Sequence, residues 1–225
     1  MKTLRNMLLG LFATALITNS SFADGADAHA GLYGGMFVSV NGLELDASAT
    51  TANEVTTGQA GKYAEIGGLE AGYTFALGDT FLIDIGGSFI SGDATLKSKG
   101  TGDDLHGNNT NAIQLEVSDP TTYYIAPGFA VSDTSALYFK FGAAEADMKV
   151  TGDYTDPGSL DGTTMAFGTK TQFASGVYIK TEAGMTEYDK IKITGKGTTL
   201  ATKTTDTVSA DPTMAYGAVS LGFKF

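Results

Sequence analysis

Past residue 30 the apolar residues follow no helical repeat. They alternate with polar ones at a period of two, in eight segments parted by stretches rich in Gly, Thr, Asp and Asn. One face of the first segment carries Leu32, Gly34, Met36, Val38, Val40 and Gly42. The second carries Gly67, Leu69, Ala71, Tyr73 and Phe75, and the third Phe81, Ile83, Ile85, Gly87 and Phe89. The fourth runs Tyr123, Ile125, Pro127, Phe129 and Val131, with Ile113, Leu115 and Val117 expected before it in the same register. Leu137, Phe139, Phe141 and Ala143 mark the fifth. Met165, Phe167, Thr169, Thr171 and Phe173 mark the sixth, whose mid-face is weakened by two threonines. Val177, Ile179, Thr181, Ala183 and Met185 form the seventh, and Ala215, Gly217, Val219, Leu221, Phe223 and Phe225 the last.

The connections alternate in length. Leu77-Gly78-Asp79, Ser132 to Ser135 and Ala174-Ser175-Gly176 are short, whereas the other four span about 46–62, 95–111, 149–163 and 192–212. Short turns at one end and long polar loops at the other are the asymmetry of outer-membrane barrels. The apolar faces also stop at similar heights, where Glu44, Glu65, Asp119, Glu145 and Glu187 take the outward register. A tilted membrane strand needs about 9–11 residues to cross, and charge on its lipid face is tolerated near the interfaces. A soluble sandwich would alternate too, but its faces need not end together. In lipid every backbone N–H and C=O must find a partner, so the sheet has to close on itself. The pattern predicts an all-β fold: an eight-stranded antiparallel up-and-down transmembrane β-barrel with short periplasmic turns and long extracellular loops.

The opposite register supplies the interior. It holds Tyr33, Ser39, Asn41, Gly72, Gly86, Tyr138, Gly142 and Gly184 together with Glu70, Asp84, Lys140, Lys170, Lys180 and Glu182. Lys224 sits lower, near the rim. Eight strands enclose only enough space for side chains. Glu70, Asp84 and Glu182 balance Lys140, Lys170 and Lys180. Because an uncompensated buried charge costs several kcal/mol, this lumen charge network is expected to form ion pairs that plug the barrel. The acidic partner of Lys140 stays open among Glu70, Asp84 and Glu182.

The first residues add a compartment. Lys2 and Arg5, an apolar stretch from Met7 to Ile17 and the small residues before Ala23 read as a secretory leader. Residues 1–23 are expected to be a signal peptide and 24–225 the barrel domain, in the bacterial outer membrane after passage through the periplasm. Losing Lys2 and Arg5 takes the formal charge from −11 to −13, which argues against nucleic acid as a partner. Cysteine is absent, so thiolate metal sites and cysteine nucleophiles are excluded.

TMAYGAVSLGFKF resembles the last strand of bacterial outer-membrane barrels, which alternates apolar residues and ends in an aromatic. GGLEAGYTFALGDTFLIDIGGSF and YYIAPGFAVSDTSALYFKFGAAEAD look like hairpins of the small barrels of the outer-membrane protein A, protein X and opacity-protein group. VYIKTEAGMTEY is similar to that group's seventh strand, where a glutamate points inward, here Glu182. The resemblance implies a structural or surface-interaction role, with Leu221, Phe223 and Phe225 as the C-terminal assembly signal read by the barrel-assembly machinery. Two departures stand out: there is no tryptophan for the aromatic girdles, and no wall-binding domain is expected beyond Phe225.

Candidate chemistry is sparse. The barrel region has only His29, before the first segment, and His106, in the second long connection. Both are expected to be solvated, and neither is placed for a serine–histidine dyad. Asp103 and Asp104 beside His106, and Asp153, Asp156 and Asp161 in TGDYTDPGSLDG, lack the spacing of established metal sites. Gly195-Lys196-Gly197-Thr198 lacks the glycine spacing of a phosphate-binding loop. The reading is a non-enzymatic integral outer-membrane barrel without cofactor or metal. Its partners would be outer-membrane lipid and an unidentified extracellular ligand or surface partner, its role envelope integrity or adhesion. The alternative is a narrow porin-like channel for small solutes.

Overall fold

The computed structural model describes residues 25–50, 55–91, 93–97, 114–151, 155, 157–194 and 207–225. A one-turn helix, α1 (Ala26–His29), precedes ten strands. They are β1 (Gly31–Thr50), β2 (Val55–Leu77), β3 (Phe81–Ser91), β4 (Asp93–Lys97), β5 (Gln114–Ser132), β6 (Ser135–Thr151), β7 (Gly158–Gln172), β8 (Val177–Tyr188), β9 (Ile191–Thr194) and β10 (Thr207–Lys224). Neighbours pair antiparallel throughout, and β1 pairs with β10 from Tyr33↔Lys224 to Thr50↔Thr207, which closes the barrel. β4 follows β3 along β5, and β9 follows β8 along β10. The barrel therefore has eight staves, two of them interrupted. No helix among the described residues is long and apolar enough to cross a membrane, so any crossing falls to the strands.

The outward register forms the apolar belt. Met36, Val38, Leu69, Phe75, Ile85, Tyr123, Ile125, Phe141, Met165, Val219 and Leu221 all lie exposed on the outer wall. Thr169 and Thr181, the polar intruders, are register partners on β7 and β8, and their hydroxyls hydrogen-bond at 2.8 Å. Each satisfies the other where water is absent, which explains how threonine is tolerated on this face.

Beyond the carboxylates the staves continue. β1 and β2 stay paired out to Thr50↔Val55, and β6 runs to Thr151. The connections expected over 46–62, 149–163 and 192–212 are thus largely strand at their ends. Inside this extension Leu43, Leu45, Ala146, Met148, Val150, Leu160, Ile191 and Ile193 form an apolar core. The barrel interior changes from polar to apolar as the chain leaves the belt.

Val117 corrects the expected register. It is buried in that core, not on the outer wall with Ile125. The β5–β6 pairing shifts between Ser118 and Thr121, where Asp119 takes a positive φ of 49° before Pro120. A bulge adds a residue to one strand and flips every side chain beyond it to the other face.

Candidate functional site

The lumen is where this fold concentrates its polar chemistry. Glu70, Asp84, Lys140, Lys170 and Lys180 are buried, and the Glu182 carboxylate is 8% exposed. Lys140 pairs with Glu182 at 2.6 Å, across β7, and Lys180 pairs with Glu70 at 3.0 Å, across the barrel from β8 to β2. The geometry thus selects Glu182 from the three acids that alternation left open for Lys140. Lys170 and Lys180 are direct register partners, an arrangement that repels unless each charge is separately compensated. Lys170 stands 4.5 Å over the Tyr33 ring and 5.0 Å from that of Tyr178, with its Nζ 3.5 Å from the Thr74 hydroxyl. Asp84 accepts the Tyr33 hydroxyl at 2.7 Å, and that hydroxyl also meets Tyr124 at 2.7 Å.

Tyrosines finish the network. Tyr138 and Tyr216 both donate to Glu182, at 2.9 and 2.8 Å, and Tyr178 donates to Glu70 at 3.0 Å. Tyr124, Tyr178 and Tyr216 are additions to the interior inventory read from sequence, although the same alternation carries them inward. Each tyrosine needs an empty wall. A Cβ added at Gly72 would run into Tyr33, one at Gly168 into Tyr138, one at Gly184 into Tyr216 and one at Gly222 into Tyr178. Interior glycines are therefore the sockets of interior tyrosines.

Above the ion pairs lies a cavity of about 40 Å³, floored by Glu70, Lys140 and Glu182 and roofed by Tyr188 and Met214. That is space for a few waters. The apolar core of the extension begins above it, at Tyr188.

The other candidates are dispersed. His29 is not solvated; it is completely buried in α1 at the short-turn mouth. Burial pushes its imidazole below its ordinary pKa, against the pull of its hydrogen bond to the Ser132 carbonyl. Asp161 lies on β7, its register partner Glu145 on β6. Asp103, Asp104, His106, Asp153, Asp156 and the 195–198 run lie outside the described residues. No group of metal-ligating side chains occurs among the described residues. Leu221, Phe223 and Phe225 are exposed near the short-turn end. The Phe223 and Phe225 rings stand 5.4 Å apart, and the Phe225 amide donates to Leu32 at 2.9 Å.

No protein-family model matches the chain, and no curated protein is significantly similar to it. Solved outer-membrane barrels resemble it in structure. The attachment invasion locus protein Ail of Yersinia pestis is 14% identical over 84% of this chain and 98% of its own, with a TM-score of 0.39. The outer membrane protein OprG of Pseudomonas aeruginosa is 12% identical over 90% and 100%, with a TM-score of 0.49. The outer membrane protease OmpT of Escherichia coli is 9% identical over 87% and 97%, also with a TM-score of 0.49. The closed antiparallel wall, outward apolar belt and polar lumen make this chain an outer-membrane-type β-barrel.

Proposed function

We propose that the chain is exported behind residues 1–23 and that 24–225 serve as a sealed structural and surface-interaction barrel of the outer membrane. The observation that carries this reading is the lumen, occupied at successive heights. Ion pairs and tyrosines fill the belt, and an apolar core fills the extension above it. A water-filled path would need these charges solvated singly, whereas they are buried against one another. The extended staves would carry the connections clear of the lipid, where an extracellular partner could meet them. In this reading Leu221, Phe223 and Phe225 form the assembly signal, and Phe225 also seats an aromatic side chain at the periplasmic interface.

The test joins two measurements on refolded protein. Heat-modifiable gel migration should show a folded barrel, and the same sample in planar lipid bilayers should give no stable open level. A steady conductance from the folded form would establish the narrow-channel alternative instead. The ~40 Å³ cavity is what favours that alternative, since it already holds room for water within the lumen.

A further inference from the structure

The short-turn mouth is crossed by a segment that belongs to no strand. The Gly25 and Ala26 amides donate to the Asp79 carbonyl, in the turn between β2 and β3, at 3.1 and 3.0 Å. The fully buried Ala26 side chain clusters with Leu82 of β3, Ala130 of β5 and Ala136 of β6, with Ala76 of β2 beside them. The Ala28 carbonyl accepts from Gln172 of β7 at 3.0 Å and from the Lys224 ammonium of β10. His29 Nε2 lies 3.0 Å from the Ser132 carbonyl of β5, which can only accept. Nε2 therefore carries the hydrogen. The enclosed Nδ1, with no partner among the described residues, keeps its lone pair. These contacts reach six of the eight staves.

One helical turn has no stability of its own. Gly25, Ala26 and His29 are buried, but Asp27 is exposed and Ala28 half-buried, so five short residues hold little apolar surface and the segment belongs at the easily opened end of the structure. Among the described residues, the charged groups acting on His29 are Lys170 of β7, Lys224 of β10 and Asp133 of the β5–β6 turn. Burial, followed by the two lysines, disfavours the imidazolium in the seated position; the Ser132 carbonyl and Asp133 favour it. The net direction is downward. Seating is then strongest above the ordinary histidine pKa of about 6.5 and weakens as pH falls through it, because the free segment takes up the proton more readily.

We propose that residues 25–29 are a reversible stopper of the periplasmic mouth, seated at neutral pH and released in mild acid, which opens the lower lumen around Lys170, Gln172 and Lys224 to the periplasm. The stopper acts on access from below and leaves the ion-paired layer above it intact.

The chain contains no cysteine, so single thiols report cleanly. Ala26→Cys places one inside the socket, and Thr134→Cys places a control on the exposed β5–β6 turn. In the folded full-length barrel, the maleimide labelling rate of Ala26→Cys relative to Thr134→Cys should rise between about pH 7.5 and pH 5.5. The rise should be several-fold and at most about tenfold, the limit for one histidine. Adding His29→Gln, which keeps a donor for Ser132 but cannot titrate, should abolish the pH dependence. A ratio that stays flat, or that rises equally in His29→Gln, would overturn the proposal. Hydrogen exchange on the unsubstituted protein covers the case in which the new thiol itself disturbs the socket. After correction for intrinsic rates, the Gly25 and Ala26 amides should lose protection over the same interval while β1 amides do not. Protection that persists in acid would overturn it as well.

Discussion

Lys140 and Lys190 each face a carboxylate at hydrogen-bonding distance, yet only one of them matters to the fold. Lys190 and Asp211 stand 3.1 Å apart with side chains 60% and 56% exposed, and such a surface pair contributes about 0–1 kcal/mol. Lys140 and Glu182 stand 2.6 Å apart at 6% and 8%. Removing one partner there strands a buried charge without its counter-ion, at a cost of roughly 3–5 kcal/mol. Lys140→Met should therefore lower the urea unfolding midpoint clearly, and Lys190→Met should scarcely move it. Tyr138 and Tyr216 go on donating to Glu182 in the variant, which softens the loss without neutralising the charge. Adding Glu182→Gln should recover part of the midpoint. Equal effects at Lys140 and Lys190 would mean that the lumen is hydrated.

At the scale of the element, the bulge in β5 decides which face a strand shows. Asp119 occupies left-handed backbone at φ 49°, where a β-branched side chain costs about 1–2 kcal/mol and glycine nothing. Asp119→Val should lower the unfolding midpoint, whereas Asp119→Gly should hold it level or raise it. If both variants behaved alike, the bulge would not be fixed by that residue. The same bulge marks where alternation stopped being a reliable guide. Strict period-two reading carries Val117 outward with Ile125, and only the Asp-Pro step at 119–120, a known punctuator, warns of the slip. Elsewhere the sequence itself carries the signal. Along β6 the apolar face passes from Leu137, Phe139 and Phe141 to Ala144, Ala146, Met148 and Val150, one register over. Along β1 it passes from Val40 to Leu43 and Leu45. Each inversion falls beside an outward carboxylate, Glu145 or Glu44. It records a strand leaving lipid, which rewards apolar residues outside, for water, which rewards them inside. The eight staves, the short turns and the charged interior were legible because the lipid imposes them at every second residue. α1 was not, since a single turn offers no periodicity to read.

The whole molecule then has two interiors stacked along one wall. Within the belt, hydrogen-bonded charges and tyrosines hold the staves to one another; in the extension, apolar side chains do. They meet at the small cavity lined by Glu182 and Tyr188, where polar side-chain packing gives way to apolar. Damage to one should therefore stay local. Leu160 is 2% exposed at the heart of the upper core, and Leu160→Ala should cost about 2–5 kcal/mol by lost transfer energy and the cavity left behind. The lipid-embedded part keeps its pairing and its belt, so the variant should retain heat-modifiable migration. Its upper staves should instead become sensitive to protease added outside intact cells, with cleavage mapping beyond Glu145 on β6 and before Asp161 on β7. Lys140→Met should show the reverse, with a lowered unfolding midpoint and undiminished resistance of the upper staves. Loss of heat-modifiability in Leu160→Ala would show that the barrel unfolds as one cooperative unit and that its two interiors are a single core.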